Sequence, residues 1–413
     1  MVERSLLHDR ANGSQLHRMT TLADSVGATA AQVLPDSRPL RKPVVVSLMD
    51  RNTTILGGQE IRWGRIAKAL SSFDETEVTI LCTRTLLEAW KRSEVGELET
   101  KITIFEDRHS KFATWIEAQL FALRHIPRGA IVHLTGVGML ILPAAILARL
   151  FKNATLLTSL TTSRVLPLRN GNQTRRSYRV LWTALKWSHV VDALNPQIDV
   201  TGIVDDRKLF IAPCSFSDPE RYRSADRKLD RVVFAGHFVR QKGSELLVQM
   251  VKEWPQRETC ELVLCGSGPY EAQLISAAEQ NANVRILRID RISEILAGAK
   301  VFLSLQQWDN YPSQSLLEAM LCQCCVVATD TGDTERLVRS PWGTRLPLDA
   351  PARAYIDAAL QYVGMDEQMQ MRVGAAARAF VVEQHSESRY LSYLHGLWRT
   401  ADCWDTALDS ASV

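Results

Sequence analysis

From residue 43 onward, short apolar runs alternate with longer amphipathic ones. PVVVSLM (43–49), EVTILC (77–82), KITIF (101–105) and AIVHL (130–134) show no regular polar alternation. Each therefore predicts a strand covered on both faces, as in a parallel sheet with crossover helices. EIRWGRIAKAL (60–70) spaces its apolar residues as a helix does. A second series follows the turn region Pro213 to Pro219: strands at 231–236, 261–266, 283–287, 301–305 and 325–330, with helices at 244–254, 291–299 and 313–323. Two such series predict an α/β protein of two doubly wound, Rossmann-like domains facing across a cleft, with ligands beyond the carboxyl ends of the strands. The division expected is a mobile leader (1–40), a first domain (41–210), a second domain (211–385) and a C-terminal helix and tail (386–413).

The longest apolar stretch, GVGMLILPAAILARLF (136–151), contains Pro143 and Arg149 and is shorter than the roughly 18 to 20 residues of a membrane span. It predicts a buried helix of an α/β layer. The first 40 residues carry no sustained apolar run, which speaks against a signal peptide or anchor.

Composition narrows the class. A chain of 413 residues, 46% hydrophobic and 23% charged, is globular and large enough for two cores. A net charge of +3 without a dominant basic stripe argues against a nucleic-acid partner. Eight irregularly spaced cysteines and no secretory signal suit reduced thiols in the cytoplasm. Cys322, Cys324 and Cys325 cluster, but no second group completes a tetrahedral zinc set, so buried thiols are expected.

Candidate chemistry gathers where the second series of strands ends. Gly236-His237-Phe238-Val239-Arg240-Gln241-Lys242-Gly243 is a glycine-bounded loop with two cations leading into a helix, a setting for a diphosphate. The turn Gly266-Ser267-Gly268-Pro269 has Glu271 where a dinucleotide fingerprint wants glycine, which weakens a nicotinamide reading. In Asn310-Tyr311-Pro312-Ser313-Gln314-Ser315-Leu316-Leu317-Glu318, Ser313 can cap a helix whose first N–H groups suit phosphate, and Glu318 could accept hydrogen bonds from vicinal hydroxyls. Asp205-Asp206 has the look of a metal-binding pair but lies in a polar connection.

The strings GHFVRQKG, GSGP, NYPSQSLLE and DTGD, in that order, resemble glycosyltransferase family four, the group 1 glycosyltransferases, over about residues 43–395. That resemblance implies the GT-B fold and a retaining transfer from a nucleoside-diphosphate sugar, with no cofactor or metal. It implies an acceptor-binding first domain, a donor-binding second domain and a C-terminal helix, around RYLSYLHGLW, that packs back on the first domain. Lys242 resembles the lysine on the donor diphosphate, Glu318 the glutamate on the donor ribose, and Ser315 and Leu316 the helix-start N–H donors. Gly57-Gly58-Gln59-Glu60 looks like the glycine-rich loop that approaches the phosphates.

Three positions depart from the pattern. His237 stands where an arginine is usual, and Arg240 could supply that cation. Asn310 replaces the first glutamate of the pair, with Asp309 beside it as a substitute. Thr135 stands where a histidine near the reacting centre is common. The resemblance further implies a glycan or lipid-diphosphate acceptor, a setting in surface polysaccharide synthesis, and work at the inner face of a membrane. The mixture of Arg164, Arg169, Arg175, Arg176, Arg179 and Lys186 with Tyr178, Trp182 and Trp187 suits an anionic surface or a lipid diphosphate, or equally a solvated helix face. The alternatives are a catalytically silent GT-B partner subunit and a sugar-nucleotide epimerase or phosphorylase.

Overall fold

The computed structural model describes residues 40–49, 58–70, 78–93, 95–98, 102–106, 111–136, 139–160, 176–194, 200, 203–256, 260–288 and 291–404. The leader up to residue 39, Gly57, and Arg164, Arg169 and Arg175 lie outside the described residues.

The first domain runs β1 (Val44–Leu48), α1 (Gly58–Leu70), β2 (Val78–Thr83), α2 (Arg84–Arg92), β3 (Ile102–Phe105), α3 (Lys111–His125), β4 (Ile131–Leu134), α4 (Leu142–Lys152), β5 (Thr155–Leu160), α5 (Arg176–Trp187), β6 (Val190–Ala193) and β7 (Leu209–Ile211). The second runs β8 (Leu229–Ala235), α6 (Ser244–Glu253), β9 (Glu261–Cys265), α7 (Glu271–Ala278), β10 (Val284–Leu287), α8 (Ile292–Ala297), β11 (Ala299–Ser304), α9 (Gln314–Leu321), β12 (Cys325–Thr329), β13 (Gly343–Leu346), α10 (Ala352–Val363) and α11 (Glu367–Gln384). A last helix, α12 (Glu387–Asp402), follows. The sheets have the orders β3-β2-β1-β4-β5-β6-β7 and β10-β9-β8-β11-β12-β13. Every pairing is parallel. In each sheet the strand order reverses beside its first strand, at β1/β4 and at β8/β11, which opens a crevice at the strand ends.

Several elements carry no clear signal in the chain. TLLTSL of β5 is wholly buried although half its residues are Thr or Ser. Those hydroxyls are accommodated by partners: Thr158 Oγ lies 2.7 Å from Ser188 Oγ, and Ser159 Oγ donates to Asp192. The stretch expected as a buried helix is instead half out of water. Leu142, Ala144, Ala145 and Ala148 of α4 face the core, while Leu147, Leu150 and Phe151 are 40%, 57% and 73% exposed. The small alanines pack against the sheet and the bulkier residues point away.

The first domain is completed by α12, whose Leu391, Leu394, Leu397 and Trp398 share one core cluster with Val44, Val46, Trp63, Ile66 and Trp90. A polar chain runs through this contact. Trp398 Nε1 donates to His133 Nδ1 (3.3 Å), which leaves Nε2 to donate to Ser159 Oγ (2.7 Å). Ser159 Oγ donates to Asp192 Oδ2, and Tyr393 Oη donates to Asp192 Oδ1, both at 2.7 Å. Burial pushes the His133 imidazole down to about 3 and raises the Asp192 carboxyl. Where α11 meets α12, His385 accepts from the Ser215 N–H, and its carbonyl accepts from Ser217 Oγ at 2.5 Å. The two chain crossings between domains are thereby tied side by side.

Candidate functional site

Three loops leaving β8, β9 and β11 are laced together by backbone contacts. Phe238 N–H donates to Ser267 O (2.8 Å), Tyr270 N–H to Phe238 O (3.2 Å) and Gln307 N–H to Gln241 O (3.0 Å). Glycines allow this closeness: a Cβ on Gly268 would lie 2.6 Å from Phe238 O, and one on Gly266 or Gly243 would strike the carbonyl of Gly236 or Leu305. Gly243 also has φ +76, a left-handed turn that glycine takes without strain. The result is a fixed cradle at the switch point of the second sheet.

Lys242 sits in this cradle. Its ammonium makes no hydrogen bond or ion pair among the described residues, and burial lowers it to about 8. A desolvated cation with no counter-charge favours an incoming anion. Arg240 turns outward instead. Its side chain is 73% exposed, and its Nε lies 3.6 Å from Glu245 Oε1, so salt and solvent screen it. His237 is exposed, and Gly236 precedes it at the end of β8.

Helix α9 starts on a buried Ser313 in extended conformation, with no side-chain cap bond. The first-turn N–H groups, including those of Ser315 and Leu316, have no intrahelical acceptor. Ser313 Oγ lies 3.4 Å from Ser315 Oγ. Ser313 and Leu316 line a narrow cavity with Ser304, Gln306, Asn310 and Thr334, and the Gln314 side-chain amide is buried without a hydrogen-bond partner. Asp309 is spent on shape: its Oδ1 accepts from Tyr311 N–H (3.3 Å) and Asp333 N–H (3.4 Å), and Gly332 lies so close that a Cβ would collide with it. Asn310 is left exposed beside it.

Glu318 lies one turn further along α9, 6% exposed, and here sequence reasoning missed its partner. Arg65 Nη1, from α1 of the other domain, donates to Glu318 Oε1 at 2.6 Å, and Nη2 donates to Tyr222 Oη. Breaking such a buried pair from one side costs about 3–5 kcal/mol. The only clue in the chain is that Arg62 and Arg65 fall among the apolar positions Trp63, Ile66 and Ala67 of α1.

On the first-domain side Gly58 opens α1. Thr135, at the end of β4, is wholly buried and donates to Ser47 O (2.9 Å), which ties the ends of β4 and β1. Asp205 caps the turn Asp206–Lys208 and bonds Arg207, which holds its carboxyl down to about 2. Cys322, Cys324 and Cys325 are buried, and Cys324 Sγ donates to Ala299 O. Among the described residues no cluster of His, Cys, Asp and Glu is arranged to hold a metal.

Residues 220–380, most of the second domain, match the family model described as Glycosyl transferases group 1. The fold is GT-B, shared with solved glycosyltransferase structures. Anabaena Alr3699/HepE in complex with UDP and glucose is 14% identical, with TM-score 0.65 over 85% of this chain and 97% of that one. Sucrose-phosphate synthase from Thermosynechococcus elongatus is 17% identical, with TM-score 0.65 over 87% and 99%. A point mutant of S. aureus TarM, in complex with fondaparinux, alpha-GlcNAc-glycerol and UDP, is 12% identical, with TM-score 0.67 over 86% and 99%. No curated protein matches the chain.

Proposed function

We propose that the protein transfers a sugar, with retention, from a nucleoside-diphosphate sugar to a glycan or lipid-diphosphate-linked acceptor, in surface polysaccharide synthesis. The observation that carries this reading is Lys242, a desolvated ammonium without a partner among the described residues, in a rigid cradle and in the same domain as an uncapped helix start. Cleaving the anomeric bond puts negative charge on the departing diphosphate. Lys242 and the first-turn N–H groups of α9 stabilise that charge without a divalent metal. The acceptor oxygen bonds to the anomeric carbon on the face the diphosphate leaves, and its proton passes to a diphosphate oxygen. Complexes of similar folds with UDP support the donor class.

Contact with a membrane face belongs to the same reading. Helices α3, α4 and α5 pack side by side over one face of the first sheet. Their outer surface exposes Ile116, Leu120, Leu147, Leu150, Phe151 and Val180. Arg124, Arg149, Lys152, Arg179 and Lys186 lie on the same helices, against the single acid Glu117. Exposed apolar side chains on helices that also carry cations fit an anionic bilayer surface, with Arg149 and Lys152 partly engaged by the carbonyls of Trp187, Leu123 and Ile126. No helix among the described residues is long and apolar enough to cross a membrane.

The test is thermal stabilisation by UDP, GDP, ADP, NAD and inorganic pyrophosphate, repeated with Glu318→Gln. A ligand at about 100 times its Kd adds roughly 2.7 kcal/mol. Selective stabilisation by one nucleoside diphosphate, reduced in the variant, is expected. Stabilisation by none of them would discard the donor reading in favour of a silent partner subunit.

A further inference from the structure

The carboxylate best suited to a donor ribose is already occupied by a cation from the opposite domain. Arg65 reaches from α1 to Glu318 Oε1 at 2.6 Å, and both side chains are almost wholly buried. Its other terminal nitrogen holds Tyr222 Oη. Tyr222 is itself bolted to the second domain, because Arg378 of α11 donates to the carbonyls of Tyr222, Leu321 and Pro219. Arg65 therefore holds the second domain at two points, one of them the Glu318 carboxylate itself.

We infer that the Arg65–Glu318 pair is an interdomain latch, which must exchange Arg65 for the hydroxyls of the incoming nucleoside before the donor can seat. This rests on the donor reading above. A carboxylate accepts a vicinal diol through both oxygens, and in this arrangement Oε1 is taken. A buried carboxylate is costly without a partner, so the latch holds while the cleft is empty, and the ribose hydroxyls are the replacement that lets it go. The ligand parts that do not touch Glu318 are indifferent to the latch.

Isothermal titration of the full chain with UDP, GDP, ADP and inorganic pyrophosphate tests this, comparing wild type with Arg65→Met and Tyr222→Phe. The nucleoside diphosphate that binds wild type should bind Arg65→Met about fivefold or more tightly, the scale of a modest coupling between sites. Pyrophosphate, which has no ribose, should bind both equally. Tyr222→Phe removes one grip without leaving a charge unpaired, and should move nucleotide affinity in the same direction by less. Unchanged or weaker nucleotide binding by Arg65→Met, with pyrophosphate binding intact, overturns the latch and leaves the donor reading standing. If Arg65→Met fails to fold, unchanged or weaker binding by Tyr222→Phe has the same force. Pyrophosphate binding with no added affinity from a nucleoside in any of the proteins removes the ribose role of Glu318, and the latch with it.

Discussion

At the scale of single residues, Lys242 gives the most direct handle. Burial lowers its ammonium to about 8, against roughly 10.4 in an unfolded chain. Between those values the unfolded state holds a proton that the folded state has released, so folding stability rises with pH across that window. Below about 8 the buried charge is present in full and its cost with it. An anionic ligand reverses the preference by restoring the charged form. Nucleoside diphosphate affinity should therefore be level at neutral pH and fall by up to about tenfold per unit above pH 8, the limit for one linked proton. Lys242→Met should bind weakly with no such break, and titration across that range checks it. An identical break in the variant would assign the titration to another group.

Lys242 and Glu318 stand out in the sequence as candidates because each lies in a short local string that resembles a family motif. Arg65 was not, since the carboxylate it meets lies 253 positions away. Thr135 and Arg240 show the opposite difficulty. Position alone marks them as candidates, and only the fold shows one spent on Ser47 O and the other turned to solvent beside Glu245.

At the scale of elements, uninterrupted apolar runs made both central sheets readable, whereas β5 and β6 mix in polar residues whose partners lie elsewhere in the chain. The chain through Trp398, His133, Ser159, Asp192 and Tyr393 is the main case. His133 is held near 3 in the fold and titrates near 6.5 when unfolded. Between those values the unfolded chain binds the extra proton, so this group costs stability as the pH falls from about 6.5 toward 3, by up to about 1.4 kcal/mol per unit. His385, lowered to about 4, has the same sign. The raised Asp192 acts oppositely, since it keeps a proton that the unfolded chain loses. The informative quantity is thus a difference: denaturant unfolding of His133→Gln should show a shallower loss of stability between about pH 6.5 and 4 than wild type. Equal slopes would mean that His133 does not stay neutral in the fold.

At the scale of the whole molecule, charge is unevenly spread. The net of +3 conceals three neighbouring helices, α3, α4 and α5, that carry one acid among their cations. Flotation with phosphatidylglycerol vesicles should recover the protein, and phosphatidylcholine vesicles should not. Each basic residue near such a surface contributes about 1 kcal/mol. Arg179→Glu should therefore lower recovery several-fold, and Leu150→Ser with Phe151→Ser should abolish it. Equal recovery on both lipids, or none, would remove the membrane from the reading.

The return of α12 to the first domain also bears on how the molecule is made. The second domain is one continuous stretch whose core cluster draws on residues 222–381, whereas the first-domain cluster needs Leu391, Leu394, Leu397 and Trp398. A ribosome therefore delivers the first domain's sequence early but its last helix at the end. The half synthesised first must wait, with the side of its sheet that α12 covers exposed, for the half synthesised second. Order of synthesis and order of completion run in opposite directions, and the apolar surface that α12 covers is closed only by the last helix to be made.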